Sequence, residues 1–260
     1  MLDVFTMRWE LVLAAQSFRW VRRSVWGRGP ATCVAEQHFD RPLKDADRMQ
    51  ALEKFLESSP VRYQLVRISV DDSWVYAAQV TPLLNAERWK DSQAYTAMRM
   101  QEIFELSQPL RVVFEPRRDG PYWVSAMWQS NVDDMRRLLA VHHLGMVACV
   151  PQWTVVWNHL AQRSPSAQED AVLLLQPTST HLVLTHQGQV LAVKHWPFAL
   201  NKLPEAELRD LLFQEMRRHA LPETARLGVV GPCALSTVEG LTFEKLSECS
   251  DVLAVWDVQP

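Results

Sequence analysis

The stretch from Ala171 to Phe198 constrains the fold of this chain more than any other part of its sequence. Ala171 to Leu175 is a continuous apolar run, which predicts a strand buried on both faces. A short polar turn follows, and His181 to Thr185 predicts a second strand. The letters HQGQ then predict a hairpin, because glycine adopts positive φ freely, and Val190 to Trp196 predicts a third strand. Three strands joined by two turns therefore form one compact unit.

The same order of elements occurs near the N-terminus. Trp9 to Ala15, Phe18 to Val25 and Ala31 to His38 each have the composition of a strand, and short turns separate them. A weak repeat spaced by about half the chain indicates a duplicated fold.

Helices alternate with strands along the rest of the chain, which predicts an α/β protein. Helices are predicted over Asp47–Ser58, Glu87–Leu106, Asn131–His143, Thr154–Ala161, Pro204–His219 and Thr242–Cys249. Further strands are predicted over Tyr63–Val70, Trp74–Val80, Leu110–Glu115, Tyr122–Met127, Met146–Val150, Leu227–Val230 and Val252–Trp256. Arg163–Glu169 is polar and contains a proline, so it is the expected linker between two domains.

Composition excludes several classes of function. The 260 residues suffice for two domains, and a net charge of −3 gives no reason to expect nucleic acid as a partner. Eight glycines are few for a phosphate-cradling loop. The four cysteines are far apart, which predicts free thiols in a reducing cytoplasm and no metal site. The sequence has neither an 18-residue apolar run nor a signal peptide, so we expect a cytoplasmic protein.

The order of elements resembles the PilM family, the actin-like cytoplasmic proteins of type IV pilus assembly. It is similar also to the cytoplasmic domain of the type II secretion protein GspL and, more distantly, to FtsA. The resemblance covers nearly the whole chain and rests on four segments: NAERWKDSQAYTAMRMQEIFELSQPLRVVFE, VDDMRRLLAVHHLGMVACVPQWTVVWNHL, VLLLQPTSTHLVLTHQGQVLAVKHWPF and LGVVGPCALSTVEGLTFEKLSE.

This resemblance implies a fold and its boundaries. The expected fold is actin-like, a duplicated RNase H-like α/β fold with two lobes and an inserted small α+β subdomain. Residues 1–81 and 146–165 would form the first subdomain, 82–145 the insertion and 166–260 the second subdomain.

The nucleotide signature of such ATPases is missing at three places. The first loop, expected to read Asp-x-Gly-Ser, contains Ala15, Gln16 and Ser17. The second contains Gln176 and Thr178 after two leucines, and the third has Pro232 directly after Gly231. Magnesium needs carboxylates, and phosphates need exposed backbone N–H groups, which proline lacks. We therefore expect a degenerate site, no cofactor and no enzymatic activity.

The resemblance also implies a partner. In the family, a groove beside the inserted subdomain takes up the cytoplasmic N-terminal tail of an inner-membrane partner such as PilN. Trp74, Tyr76, Trp89 and Tyr95 are the candidate anchors, because aromatic residues dominate interface hot spots; the alternative is that they belong to the core. An assembly ATPase is a further expected partner. The protein would then be a scaffold at the inner membrane, held there only through its partner.

Other side chains have simpler explanations. His142 and His143 are adjacent on a helix and point to different faces, so they do not predict a shared metal ligand. Arg22, Arg23 and Arg28 lie among tryptophans, which suits nucleic acid or anionic lipid but occurs more often on a solvated face. Ser17 and Thr178, with Ser179 and Thr180, have no activating base nearby and favour turn formation.

Three rival functions stay open at this point. The chain could be a nucleotide-dependent ATPase or sugar kinase of the same superfamily, the cytoplasmic part of a GspL-like membrane protein, or a filament-forming protein.

Overall fold

The computed structural model describes residues 7–24, 32–83, 88–114, 121–155, 157, 171–175, 179–186, 189–196, 198–221, 225–231, 241 and 243–245. The chain divides into two compact units, called here the first lobe (Met1–Gly27 with Thr32–Gln152) and the second lobe (Arg28–Ala31 with Trp153–Pro260). Within the described residues no helix is both long enough and apolar enough to cross a bilayer.

Strands and helices follow one another as an α/β sequence predicts. The strands are β1 (Met7–Leu13), β2 (Ser17–Ser24), β3 (Thr32–His38), β4 (Leu65–Val70), β5 (Tyr76–Val80), β6 (Leu110–Phe114), β7 (Tyr122–Trp128), β8 (Gly145–Pro151), β9 (Ala171–Leu175), β10 (Thr180–His186), β11 (Gln189–Trp196), β12 (Leu227–Val230) and β13 (Phe243–Lys245). Among the residues that the structure describes, the α-helices with defined bounds are α1 (Asp45–Glu57), α2 (Trp89–Ile103), α3 (Gln129–Val141) and α4 (Glu205–Arg218), and residues 152–155 are also helical.

A five-stranded sheet in the order β3-β2-β1-β4-β8 forms the frame of the first lobe. β1, β2 and β3 pair antiparallel, whereas β1 pairs parallel with β4, and β4 with β8. α1 and α3 contribute apolar side chains at helical spacing to the core on one face of this sheet. These side chains are Leu52, Phe55, Leu56, Val132, Met135 and Leu139.

A second layer of the first lobe is a three-stranded antiparallel sheet in the order β5-β7-β6, with α2 packed against it. Its core includes Val80, Met100 and Tyr122. We predicted an insertion over 82–145. The sheet starts earlier, at Tyr76, because β5 pairs with β7, and α3 packs into the core of the five-stranded sheet instead.

The second lobe repeats the first sheet, with the order β11-β10-β9-β12-β13. Its first three strands are again antiparallel and its last two parallel. The residue pairs beside the first turn of each lobe also correspond. Leu13 pairs with Phe18 in the first lobe, and Leu175 pairs with Thr180 in the second. The predicted duplicated α/β fold is therefore confirmed.

Two local predictions were wrong. Thr242–Cys249 was predicted to be helical, but Phe243–Lys245 is a strand, because its backbone pairs parallel with β12 while Phe243 packs on the second core. Trp74 was predicted to begin a strand, yet it ends a 3₁₀ turn (Asp72–Trp74) that the Asp71 side chain caps. The predicted strand Val252–Trp256, the linker Arg163–Glu169 and most of Thr154–Ala161 lie outside the described residues.

Candidate functional site

A pocket of about 130 Å³ opens in the first lobe where the two sheets meet. A buried water needs roughly 10–15 Å³, so the pocket has room for a side chain. The turn after β4 and the start of β5 supply most of its lining, and α1, the end of β7 and α3 supply the rest. Its lining residues are Arg48, Asp72, Ser73, Trp74, Val75, Tyr76, Trp128 and Asn131.

Arg48 fixes the floor of this pocket. It lies on α1 and is buried, and its guanidinium donates to the carbonyl oxygens of Leu43 and Ser73. The guanidinium carbon also lies 4.8 Å from the centre of the Trp74 ring, within the range of a cation–π contact. Trp74 is buried, so this stacked pair presents a rigid surface.

Aromatic rings form one wall of the pocket. The Tyr76 ring meets that of Trp128 edge-on, with 5.5 Å between their centroids, and lies 5.1 Å from that of Phe104. Asn131 adds a half-buried amide from the first turn of α3. The pocket thus combines aromatic surface with polar groups, the usual composition of a binding site for a small apolar group.

Asp71 closes the β1–β2 turn beside this pocket. One oxygen of its carboxylate accepts a hydrogen bond from the backbone N–H of Ala15. The other accepts from the backbone N–H of Ser73, at 3.0 Å, and from the Ser73 hydroxyl. The Asp71 N–H donates to the carbonyl of Leu13, at 3.0 Å. The backbone N–H of Ala15 therefore already donates a hydrogen bond within the protein.

Two carbonyls of the same turn also have partners inside the protein. Leu43 donates its N–H to the carbonyl of Ala15, and Phe39 donates to that of Gln16, both at 2.9 Å. Phosphate-binding turns use exposed backbone N–H groups to hold an anion. This turn instead presents a carboxylate at the Ala15 N–H.

Burial raises the pKa of the Asp71 carboxyl from 3.8 to about 6. This pKa of about 6 already includes a smaller rise caused by the neighbouring charge of Asp72 and the opposing effect of the hydrogen bonds from Ser73 and Ala15. The carboxyl is accordingly ionised near pH 7 despite its burial, which places a negative charge beside the first loop.

The predicted residues fall in different places. Trp74 and Tyr76 both line the pocket. Trp89 is 52% exposed and stacks on Phe114, with 4.8 Å between the ring centroids. Tyr95 is half-buried against the core of the three-stranded sheet. Neither of these two is among the residues that line the pocket.

The residues of the three predicted nucleotide loops differ in their surroundings. Ala15 and Ser17 are buried and Gln16 is exposed in the β1–β2 turn, whereas Gln176 and Thr178 lie outside the described residues. Gly231 directly follows β12, at a point where a Cβ would lie 2.4 Å from the carbonyl oxygen of Leu175. A side chain has no room there, so this glycine serves the close approach of two backbones.

Sequence reasoning missed Arg48, Asp71, Trp128 and Asn131. A signal existed for Asp71, since two acidic residues follow directly on the buried strand β4. Its partner Ala15 lies 56 residues earlier in the chain, and this distant pairing is not visible in the sequence.

The remaining candidates have structural partners. His143 stacks on Tyr63, with 5.0 Å between ring centroids, and Arg23 donates to buried Glu10 at 2.9 Å. Thr180 accepts a hydrogen bond from the N–H of Leu200 at 3.1 Å. Arg22 is exposed, and Arg28 lies outside the described residues.

No protein-family model and no curated protein sequence matches the chain. Solved structures are similar to it in fold. A Bacteroides thetaiotaomicron protein of unknown function with an actin-like ATPase fold has 11% identity and a TM-score of 0.63, over 90% of this chain and 86% of that one.

Two structures from pilus and secretion machinery are also similar. The PilM–PilN type IV pilus biogenesis complex shows 16% identity and a TM-score of 0.58, over 95% of this chain and 97% of that one. The cytoplasmic domain of EpsL, an inner-membrane component of the Vibrio cholerae type II secretion system, shows 12% identity and a TM-score of 0.59, over 95% and 93%. The resemblance predicted from the sequence is thus confirmed as a likeness of fold, and this chain has an actin-like fold of the kind found in these pilus and secretion proteins.

Proposed function

We propose that this protein is a non-catalytic, actin-like scaffold of an inner-membrane pilus or secretion platform. It acts in the cytoplasm, peripheral to the inner membrane, and binds the cytoplasmic N-terminal tail of a PilN-like membrane protein. An assembly ATPase is a second partner of the same platform.

The observation that carries this proposal is the pocket between the two sheets of the first lobe. Its half-buried Tyr76 and Trp128 rings supply apolar contact area at low entropic cost, which is typical of anchor sites in interfaces, and the buried Trp74 ring lies behind them. The Asn131 side chain provides a hydrogen-bonding group for the backbone of an extended peptide. Similarity in fold to a PilM–PilN complex supports a tail of the PilN type as the occupant.

The closed β1–β2 turn supports a role without catalysis. Asp71 accepts the Ala15 N–H, so a nucleotide phosphate would meet an occupied donor and a like charge. An actin-like lobe that does not hold ATP offers its surface for recognition.

A peptide titration tests the proposal. A synthetic peptide of the host PilN-like protein's N-terminal tail is titrated into the purified protein by isothermal calorimetry. Asn131→Phe places an aromatic side chain in the pocket from a half-buried position in the first turn of α3, and we expect it to abolish binding. Arg137→Phe makes the same change on an outward-facing position of α3, 74% exposed, and should bind like the wild type.

Circular dichroism verifies the fold of each variant, so a loss of binding can be distinguished from a loss of structure. Absence of binding by the folded wild-type protein would refute the tail-binding role. Equal binding by Asn131→Phe and the wild type would move the site away from this pocket.

A further inference from the structure

Two histidines face each other on neighbouring strands of the second lobe. His181 on β10 and His195 on β11 are directly opposite in the antiparallel register. Their rings stack with 4.9 Å between centroids and 29° between planes. Trp153 stacks on His181 as well, at 5.7 Å and 27°. His181 is only 1% exposed, whereas His195 is exposed, so one imidazole is held rigidly and the other is accessible.

The spacing of the ring nitrogens suits a shared cation. One nitrogen of His181 and one of His195 lie within 4.8 Å of each other. Two imidazoles bound tetrahedrally at 2.0–2.1 Å would hold their nitrogens about 3.3 Å apart. A rotation of the exposed His195 ring about its side-chain bonds can close this gap, since directly opposite residues have Cβ atoms about 4.5–5.5 Å apart.

The equivalent positions in the first lobe carry a different pair. Arg19 on β2 is opposite Glu36 on β3, just as His181 on β10 is opposite His195 on β11. Arg19 directly follows Phe18, and His181 directly follows Thr180, and these two residues occupy equivalent positions after the first turn of each lobe. There the pair is an ion pair, with Arg19 Nε 2.9 Å from Glu36 Oε1. In the second lobe, two imidazole groups occupy the positions of this ion pair. Two imidazoles cannot neutralise each other, but both can donate a lone pair to one cation.

We propose that His181 and His195 form a binding site for a late first-row transition-metal cation of the Zn²⁺ or Ni²⁺ type. Imidazole nitrogen favours these ions, whereas Mg²⁺ and Ca²⁺ favour oxygen ligands. Water or another donor completes the coordination. The ion links β10 to β11, which is at the edge of the sheet, and so stabilises the outer hairpin of the lobe.

Calorimetry with the full chain tests this site, with ZnCl₂ or NiCl₂ as the probe in a non-chelating buffer and MgCl₂ as the negative control. The wild-type protein should bind one Zn²⁺ or Ni²⁺ ion per chain. His195→Phe and His181→Phe each keep an aromatic ring in the stack and should both lose the binding. His38→Ala removes an exposed histidine from β3, the strand that corresponds to β11, and should leave the binding unchanged.

A spectroscopic measurement separates coordination by this pair from binding elsewhere. The imidazole ¹⁵N resonances of His181 and His195 should shift on addition of Zn²⁺, while those of His38 stay in place. Unchanged affinity in both phenylalanine variants, or no binding by the folded wild-type protein, would overturn the proposal.

Discussion

Replacing Asp71 with asparagine tests how a buried carboxylate closes the first turn. Because burial raises the pKa of Asp71 to about 6, the folded protein takes up a proton at a pH where the unfolded chain is still ionised. Relative to the ordinary value of 3.8, the charged form costs about 3 kcal/mol of stability at 1.36 kcal/mol per pKa unit. This cost is fully present well above pH 6 and is relieved as the pH falls through 6.

The variant isolates this cost because asparagine has a similar shape and does not ionise. Between about pH 7.5 and about pH 5, protonation of Asp71 adds on the order of 1 kcal/mol to the free energy of unfolding of the wild-type protein alone. We therefore expect the difference in unfolding free energy between the wild type and Asp71→Asn to shift by this amount in favour of the wild type as the pH falls.

Urea denaturation at both pH values measures this difference. Asp210→Asn, at a position 78% exposed, is the control for a generic loss of charge, and its difference from the wild type should change far less. If the difference between the wild type and Asp71→Asn is the same at both pH values, Asp71 does not titrate as a buried group and the reasoning fails.

Two further predictions concern the remaining loop positions. Magnesium with ATP should leave the melting temperature unchanged, because Asp71 occupies the N–H of Ala15, and a clear rise would contradict this. Gly231→Ala should cost about 1–3 kcal/mol in urea denaturation, since its Cβ would meet rigid Leu175 backbone. Gly145→Ala meets only the tip of an exposed leucine and should cost less than about 1 kcal/mol; a greater cost than for Gly231→Ala would refute this argument.

The duplicated frame was predictable because its signals are local. The apolar run at Ala171–Leu175 and the small-residue turns after it specify strands and reversals within a few residues of sequence. The strand at Phe243–Lys245 was missed because only three residues form it, and its pairing with β12 outweighs the helical spacing of the surrounding sequence.

The site was less predictable than the frame. Trp74 and Tyr76 were predicted as anchors of the groove that the family resemblance implied, and both line the pocket. Asp71 was not, since its role depends on Ala15, which the parallel pairing of β1 with β4 brings beside it. The capacity of an aromatic side chain to form a large apolar contact is evident from the residue type, whereas the role of a buried carboxylate depends on hydrogen-bond partners that only the tertiary fold brings together.

The strand order of the first lobe has a consequence for how the chain is made. β1, β2 and β3 are consecutive and can pair as soon as they leave the ribosome, but β8 reaches β4 only after the whole three-stranded sheet and α3 have been synthesised. Until then β4 is an open edge with unsatisfied backbone groups, the kind of surface that chaperones protect and that aggregation exploits. Because β8 pairs with β4 late in synthesis, the aggregation resistance of the unfinished chain, as well as the stability of the finished protein, depends on this last strand of the lobe.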